Sequence, residues 1–237
     1  MIKRTFAITD IHGCLKAFKT LLKEVEFDYK NDKLICIGDT CDRGSNVKEC
    51  FDELFKIKNL VYILGNHDDW ALSYFLNSLD KDDGNDWWNQ GGKETMDSFE
   101  NIDILPYAKF LKEALPYYVD EQNRLFVHGG FDPDIPIRKH SKAYLIWDRG
   151  LIFKAKGKQT MHDIHGCSNK IKPYKEIFIG HTPVSSFSES LEPIRFANVY
   201  DIDTGVVFDG RLTLLNIETK KFIQSNKKGE LVFEGQI

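Results

Sequence analysis

Five short polar motifs in this chain carry carboxylate, amide and imidazole groups, the side chains that bind divalent metal ions. Such mixed oxygen and nitrogen ligands suit manganese, iron, zinc or cobalt, and two such ions held side by side can hydrolyse esters. The set therefore predicts a two-metal hydrolytic site. The motifs are Asp10-Ile11-His12-Gly13, Gly38-Asp39-Thr40-Cys41-Asp42-Arg43-Gly44, Gly65-Asn66-His67-Asp68, His128-Gly129-Gly130 and Gly180-His181-Thr182.

Each motif follows an apolar stretch of strand length. Runs that are rich in Ile, Val and Phe and end at a glycine are typical of buried strands. The carboxyl ends of such strands share one rim of an open α/β sheet, where these folds place their chemistry. We therefore expect the five motifs to meet. The stretches are Thr5 to Thr9, Leu34 to Ile37, Leu60 to Leu64, Leu125 to Val127 and Ile177 to Ile179.

The motifs differ in how specific they are. A second Asp-x-His-Gly, Asp163-Ile164-His165-Gly166, follows the polar stretch Lys154 to His162 instead of an apolar strand. We expect no metal there. The long motif from Gly38 to Gly44 is far more specific, and five motifs in a fixed order are hard to attribute to chance.

The chain resembles the metal-dependent phosphoprotein phosphatases, which are calcineurin-like metallophosphoesterases, over nearly its whole length. Three further segments look like those of the short bacterial and phage branch, whose members act on phosphoserine, phosphothreonine and sometimes phosphotyrosine. The resemblance therefore implies a serine/threonine or dual-specificity protein phosphatase. The segments are Gln90-Gly91-Gly92, Ile146-Trp147-Asp148-Arg149 and Asp201 to Phe208.

The resemblance also assigns the metal ligands. One metal is bound by Asp10 and His12, Asp39 bridges both metals, and the second site is completed by Asn66, His128 and His181. Two carboxylates and a bridging hydroxide, the implied nucleophile, leave two divalent cations with a net positive charge that favours a phosphate dianion. The family suggests manganese, with iron or zinc as alternatives.

Further residues receive roles in binding and proton transfer. The resemblance makes His67 the proton donor to the leaving alkoxide, and Asp42 would hold its imidazole and favour the protonated form. Arg43 and Arg149 are the candidate phosphate clamps, because a guanidinium can bind two phosphate oxygens at once. Asn66 is also expected to contact the substrate.

Two departures from the family pattern keep a second function open. Many phosphoprotein phosphatases carry an arginine where this chain has Leu64, and their motif commonly ends in Glu where this chain has Asp68. Leu64 to Asp68 resembles the symmetrical diadenosine tetraphosphatases, which cleave a phosphoanhydride. Asp42 favours phosphomonoesters, because a serine alkoxide needs a general acid more than a nucleotide does. A non-catalytic scaffold is a third alternative, although every ligand position is intact.

Composition narrows the partners and the location. The 237 residues can bury one substantial core, so we expect one domain over residues 1–237. The net charge of -4 without a dense basic run disfavours nucleic acid. No signal-type or membrane-spanning apolar run occurs, which predicts a cytoplasmic protein with reduced cysteines. The expected partner is a phosphoprotein or a phosphorylated small molecule, and the oligomeric state stays open.

The element pattern agrees with the implied fold. Apolar stripes predict helices over Leu15 to Val25 and Val47 to Phe55, whereas the polar stretch Asp80 to Gly92 predicts a loop before a helix from Lys93. Hairpins are expected around Glu121 to Asn123 and at Asp209-Gly210, between Val206 to Phe208 and Leu212 to Leu215. Antiparallel pairs after alternating βα units indicate an α/β (α+β) fold. In it two mixed β-sheets pack as a sandwich flanked by helices, the calcineurin-like metallophosphoesterase fold.

Overall fold

The computed structural model describes residues 2–166 and 168–237, and within them the strands form two mixed sheets. In the first sheet β1 to β3 are parallel to one another, and β9, β10 and β11 extend the sheet with antiparallel pairings beside β1. The strand order is β3 (Asn59–Tyr62), β2 (Lys33–Cys36), β1 (Thr5–Ile8), β9 (Leu212–Asn216), β10 (Lys221–Ser225) and β11 (Leu231–Gln236).

The second sheet has a parallel centre and antiparallel edges. Its central three strands, β5, β6 and β8, run parallel, while β4 and β7 pair antiparallel at its two edges. The order is β4 (Tyr118–Val119), β5 (Arg124–Phe126), β6 (Glu176–Ile179), β8 (Val199–Asp201) and β7 (Ile194–Phe196).

Alternation of side chains along each strand separates the core into layers. In β6, Phe178 belongs to the cluster between the two sheets, whereas Ile177 and Ile179 belong to the cluster on the outer face of the second sheet. Phe126, Phe178 and Tyr200 stack across adjacent strands, with ring centroids 4.9 Å apart at each step. The central strands of both sheets are therefore buried on both faces, as the apolar runs predict.

Helices cover the outer faces of both sheets. On the first sheet lie α1 to α3 together with α4 to α6, and α7 and α8 cover the second. The helices are α1 (Leu15–Glu24), α2 (Val47–Leu54), α3 (Asn66–Phe75), α4 (Lys81–Trp87), α5 (Lys93–Ser98), α6 (Leu105–Lys112), α7 (Lys142–Trp147) and α8 (Gly150–His165); a π-helical turn spans Trp88–Gly92, and short 3-10 turns span Ile137–Lys139 and Val184–Ser186.

The sandwich flanked by helices confirms the expected fold class, and the hairpin around Glu121 to Asn123 is present as β4 and β5. Along the described residues, no helix is both long and apolar enough to cross a membrane. The single domain over residues 1–237 and the cytoplasmic location stay predictions.

Two local predictions are wrong. Most of the stretch from Asp80 to Gly92 is helical instead of a loop, because Asp80 caps α4 by accepting hydrogen bonds from the amides of Asp82 and Asp83. Gln90 and Gly91 leave the helical conformation and form a kink before α5. Asp209-Gly210 does turn the chain, but Val206 to Phe208 form no strand, and β9 pairs with β1 and β10 instead.

Candidate active site

The ends of strands from both sheets bring the predicted residues together. Asp10 follows β1, Asp39 follows β2, and Asn66 begins α3 just after β3. From the second sheet, His128 follows β5 and His181 follows β6. All of these side chains are buried, so the cluster lies within the protein where the carboxyl ends of the parallel strands meet.

Asp39 lies at the centre of this cluster. Its Oδ2 atom is 3.8 Å from His12 Nε2 and 3.3 Å from His128 Nε2, while Oδ1 accepts a hydrogen bond of 3.0 Å from the backbone amide of His67. Burial alone would raise the pKa of Asp39, but the imidazoles of His128 and His67 lower it well below its usual value. An ionised oxygen between two imidazoles has the geometry of a bridging ligand.

Two histidines are oriented by the backbone in the way that metal-binding imidazoles are. His12 and His128 each place Nδ1 against a carbonyl, that of Cys41 at 2.6 Å and that of Ile37 at 2.7 Å. A carbonyl can only accept, so each Nδ1 carries the proton and Nε2 is left to face the cluster. Burial lowers the pKa of His12, which keeps that nitrogen available as a ligand.

His181 supplies an independent indication of a bound cation. Its Nε2 atom is buried and has no hydrogen-bond partner among the described residues. Burial, with His128 nearby, lowers the pKa of His181 to about 2, so the imidazole is neutral. An unpartnered neutral nitrogen inside a protein is costly unless something binds it, and a metal ion would.

The donor atoms fall into two groups that could each hold an ion. Asp39, His128 and His181 form one group, and each contributes an atom within 4.8 Å of the others. The amide oxygen of Asn66 is 3.1 Å from His128 Nε2 and completes it. Burial lowers the pKa of His128, but Asp39 and Asp10 outweigh this and raise it to about 10, so a cation would compete with a proton for that nitrogen.

The other group differs from the predicted ligand set. It joins His12 and Asp39 to His67, while Asp10, whose Oδ1 is 3.8 Å from His12 Nε2, lies at its side. The rings of His12 and His67 meet edge to face with centroids 4.9 Å apart. The geometry therefore permits His67 as a ligand as well as a proton donor, two roles that metal analysis of a variant separates.

A buried carboxylate holds His67. Asp42 Oδ2 is 2.6 Å from His67 Nδ1, and the same carboxylate accepts hydrogen bonds from Trp87 Nε1 at 2.8 Å and Thr95 Oγ1 at 2.6 Å. Burial raises the pKa of Asp42 in spite of these donors. The outcome is an imidazole that is fixed in orientation, with Nε2 directed into the cavity.

Arg43 reaches the same cavity from the long motif. Its Nη2 donates to His67 Nε2 at 3.0 Å and its Nη1 lies 3.4 Å from His12 Nε2. A guanidinium only donates, so His67 Nε2 is an acceptor in this arrangement. The backbone carbonyls of Gln90 and Gly91 accept hydrogen bonds from Arg43 and fix its direction.

Arg149 lies at the mouth of this cavity, which has a volume of about 100 Å³ and is lined by Asp10, Asp39, Arg43, Asn66, His67 and His181 among others. Its Nη1 donates to the carbonyl of His181 at 2.9 Å and to Thr182 Oγ1 at 3.3 Å. The structure thus brings Arg149 to the cavity together with Arg43, where two guanidiniums face one pocket.

The two departures from the family pattern have structural explanations. Leu64 is a buried core residue on the helix-covered face of the first sheet, so no side chain extends into the cavity from that position. Asp68 is buried beneath the long motif, and it accepts hydrogen bonds from the backbone amides of Asp39, Thr40 and Cys41. Its short carboxylate therefore shapes the loop that carries Asp39.

Asp203 is a residue of the site that the sequence interpretation missed. It lines the cavity and is buried, and its Oδ1 accepts a hydrogen bond from the amide of Gly205. Burial raises the pKa of Asp203 to about 6. A signal was present, since Asp203 lies just after the buried strand β8 and within the segment that resembles the family, but no role was assigned to it. Asp203 therefore adds a third carboxylate to those of Asp10 and Asp39 in the cavity, which Arg43 and Arg149 also line.

The backbone at the site is unusual. Positive φ angles are uncommon for residues other than glycine and are concentrated at functional sites, where the surrounding structure holds them. The predicted residues with positive φ, between 44° and 72°, are Asp10, His12, Asp39, Asp42, Arg43 and His181. The loops that follow the strands are therefore fixed in conformations that direct these side chains inward.

The second Asp-x-His-Gly copy lies elsewhere. Asp163 and His165 are exposed near the end of α8, where Asp163 accepts a hydrogen bond of 2.7 Å from Gln159. Neither residue belongs to the groups of donor atoms described above. Whether this copy binds metal stays a prediction.

Comparison with known proteins gives one family and two kinds of relative. The calcineurin-like phosphoesterase model matches residues 3–208. The chain is 28% identical to serine/threonine-protein phosphatase 1 of Salmonella typhimurium, over 91% of this chain and 93% of the relative. It is 26% identical to the symmetrical bis(5'-nucleosyl)-tetraphosphatase of Pseudomonas fluorescens, over 91% and 92%. The crystal structure of a protein provisionally assigned as a diadenosine tetraphosphatase shares the fold, with a TM-score of 0.66 at 16% identity over 94% of this chain and 92% of the other.

Proposed function

The chain belongs to the calcineurin-like phosphoesterase family, and we propose that within it the chain is a serine/threonine or dual-specificity protein phosphatase. Phosphoester hydrolysis is common to the family and to relatives of both kinds. The substrate class is the open choice, because those relatives cleave phosphomonoesters in one case and a phosphoanhydride in the other. The choice depends on whether the leaving group needs a general acid.

The pairing of His67 with Asp42 is the observation that favours a phosphomonoester. A serine or threonine alkoxide is a strong base and must be protonated as it leaves, and a positioned acid is worth ~100- to 10,000-fold in rate. The buried carboxylate of Asp42 lies 2.6 Å from His67 Nδ1, and its other side-chain donors, Trp87 and Thr95, hold it in place. A nucleotide leaving group would gain little from such an arrangement.

The metal-binding roles follow the geometry. Asp10, His12 and Asp39 would hold one divalent cation, and Asp39, Asn66, His128 and His181 the other. Two such cations supply Lewis acidity and lower the pKa of water. We propose manganese, with iron or zinc as alternatives, because oxygen and imidazole ligands accept all three.

The remaining side chains bind the phosphate and protonate the leaving group. Arg43 and Arg149 lie at the cavity with guanidiniums that can each bind two phosphate oxygens, and Asn66 lines the same wall. His67, after taking up a proton from water at Nε2, gives that proton to the leaving oxygen, while its Nδ1 proton stays in the hydrogen bond to Asp42. A bound phosphate would attract Arg43 away from His67 Nε2, and this would free that nitrogen to carry the proton.

A symmetrical diadenosine tetraphosphatase is the second candidate. It is favoured by Leu64, which removes an arginine that phosphoprotein phosphatases commonly use, and by the similarity to the Pseudomonas fluorescens enzyme. The net positive centre and the two arginines would serve either substrate equally.

The test compares kcat/KM for phosphoserine or phosphothreonine peptides with kcat/KM for diadenosine tetraphosphate, with manganese present, because this ratio measures discrimination in the transition state. We expect the peptides to be preferred. A preference of about tenfold or more for the dinucleotide, with ADP as the product, would make the second candidate correct. Absence of bound metal and of turnover on any substrate would instead indicate a non-catalytic scaffold.

A further inference from the structure

A second, larger groove shares a wall with the catalytic cavity. Its volume is about 610 Å³, and Arg43, Gln90 and Phe208 line both spaces. The guanidinium of Arg43 lies over the ring of Phe208 at 4.8 Å and forms the ridge between them. We call this space the flanking groove and define it by Arg43, Trp88, Gln90, Lys93, Phe208 and Lys227.

The walls of the flanking groove combine exposed aromatic rings with positive charge. Trp88 and Phe208 are 50% and 58% exposed and lie in the same groove, so two large rings are accessible to one ligand. Lys93, Lys227 and Arg43 contribute three cations, against the one carboxylate of Glu94. Lys93 already pairs with Asp97, so Lys227 is the principal cation available to a ligand.

The groove also offers groups that could bind a peptide backbone. Asn89 and Gln90 lie exposed along one wall, and for the part of the chain that the structure describes neither side-chain amide makes a hydrogen bond. An amide presents both a donor and acceptors, which match the N–H and C=O of an extended chain. The left-handed conformation of Gly91, with φ of 101°, turns this wall toward Arg43.

We propose that the flanking groove binds the residues beside the phosphorylated residue of a protein substrate, and that it selects an aromatic side chain and a carboxylate. The inference rests on the proposed phosphatase function and adds the sequence context of its substrate. Trp88 and Phe208 would pack against the aromatic side chain, and Lys227 would pair with the carboxylate.

Charge favours a peptide over the distal half of a dinucleotide. A dinucleotide would bring further phosphates past Arg43 into the groove, where Glu94 would repel them and Lys93 is already paired with Asp97. One side-chain carboxylate, in contrast, needs only one free cation. The mixture of amides, aromatic rings and a single available lysine matches a peptide better than a polyphosphate.

The experiment uses the full chain with manganese and three phosphoserine peptides of equal length. One peptide has alanine and glycine flanks, and the others carry a Glu and a Phe before or after the phosphoserine. We expect wild-type kcat/KM to be about five- to tenfold higher for one of the flanked peptides, the range that one aromatic contact and one exposed ion pair supply. Lys227→Glu and Trp88→Ala should remove this preference.

Lys228→Glu is the matched control, because Lys228 lies beside Lys227 in the same turn but is not part of the groove. It should retain the preference for the flanked peptide. Hydrolysis of p-nitrophenyl phosphate reports the catalytic cavity alone. The loss that Lys227→Glu causes with the flanked peptide should be at least about fivefold larger than its loss with this substrate.

The outcomes separate the two proposals. Equal hydrolysis of all three peptides by the wild-type protein would overturn the groove assignment and leave the phosphatase function standing. Turnover of p-nitrophenyl phosphate and of diadenosine tetraphosphate without turnover of any phosphopeptide would overturn both. If Lys227→Glu and Trp88→Ala reduced only dinucleotide cleavage, the groove would belong to a nucleotide and the peptide assignment would be wrong.

Discussion

Asp39 is the residue on which both proposed metal sites depend, because its Oδ2 faces His12 on one side and His128 on the other. Asp39→Asn keeps the size of the side chain but removes the charge that would bridge two cations. We expect it to weaken binding at both sites and to lower kcat/KM at least about 100-fold. Asp163→Asn, in the exposed copy of the motif, should change neither. Calorimetric manganese titration and a phosphatase assay check both variants; greater damage from Asp163→Asn would mean that the wrong copy was chosen.

His67 has two roles open to it, and one variant distinguishes them. If His67 is the proton donor, His67→Asn should retain bound metal and lose ~100- to 10,000-fold on a phosphoserine peptide. It should lose far less on p-nitrophenyl phosphate, whose leaving group hardly needs a proton. If His67 is instead a ligand beside His12 and Asp39, the variant should lose metal, and its activity on both substrates should fall by the same factor. Metal analysis and the ratio of the two losses give the answer.

Among the elements, those whose signal lies in their own sequence were predicted best. Apolar runs that end at a polar motif located the strands. The ligands lie in those motifs and meet because the carboxyl ends of parallel strands share a rim. The segment from Asp80 to Gly92 was predicted as a loop from its polarity, yet Lys81–Trp87 form α4 because Asp80 caps the helix and buried Trp87 anchors it on Asp42. The latter contact joins residues 45 positions apart, which no local pattern contains.

The helices α4 and α5 hold the proposed general acid from outside the metal cluster. Thr95 in α5 makes two hydrogen bonds to Asp42, donating to its carboxylate at 2.6 Å and accepting from its amide at 2.8 Å. Thr95→Val keeps the shape but leaves the backbone amide of Asp42 unpaired and removes one of the donors to its carboxylate, at a cost of about 1 to 3 kcal/mol. We expect kcat on phosphoserine peptide to fall about tenfold, with a smaller loss on p-nitrophenyl phosphate.

Thr95→Ser is the control for that experiment, because it retains the hydroxyl and should retain most of the activity on phosphoserine peptide. An equal loss on both substrates after Thr95→Val would indicate general damage to the fold instead of a misplaced imidazole. Measuring the melting temperature of each variant separates the two effects.

At the scale of the whole molecule, the proposed ligands join the two sheets. Asp10, Asp39 and Asn66 come from the first sheet, and His128 and His181 come from the second. Sequence reasoning anticipated both the sandwich and the meeting of these residues. It singled out the segment that holds Asp203 without assigning that carboxylate a role. It could not anticipate the flanking groove, because the groove depends on how the turn before β11 packs beside distant loops.

Because the proposed ligands span both sheets, metal binding should stabilise the folded protein as a unit. A ligand that binds only the folded state adds about 2.7 kcal/mol when present at 100 times its dissociation constant. For a chain of this length that corresponds to a rise in melting temperature of about 5 to 10 °C. We expect manganese to produce such a rise in the wild-type protein and in Asp163→Asn, and to produce little in Asp39→Asn. Thermal melts with manganese or with EDTA measure it. A rise that persisted in Asp39→Asn would show that the stabilising metal binds elsewhere than between the two sheets.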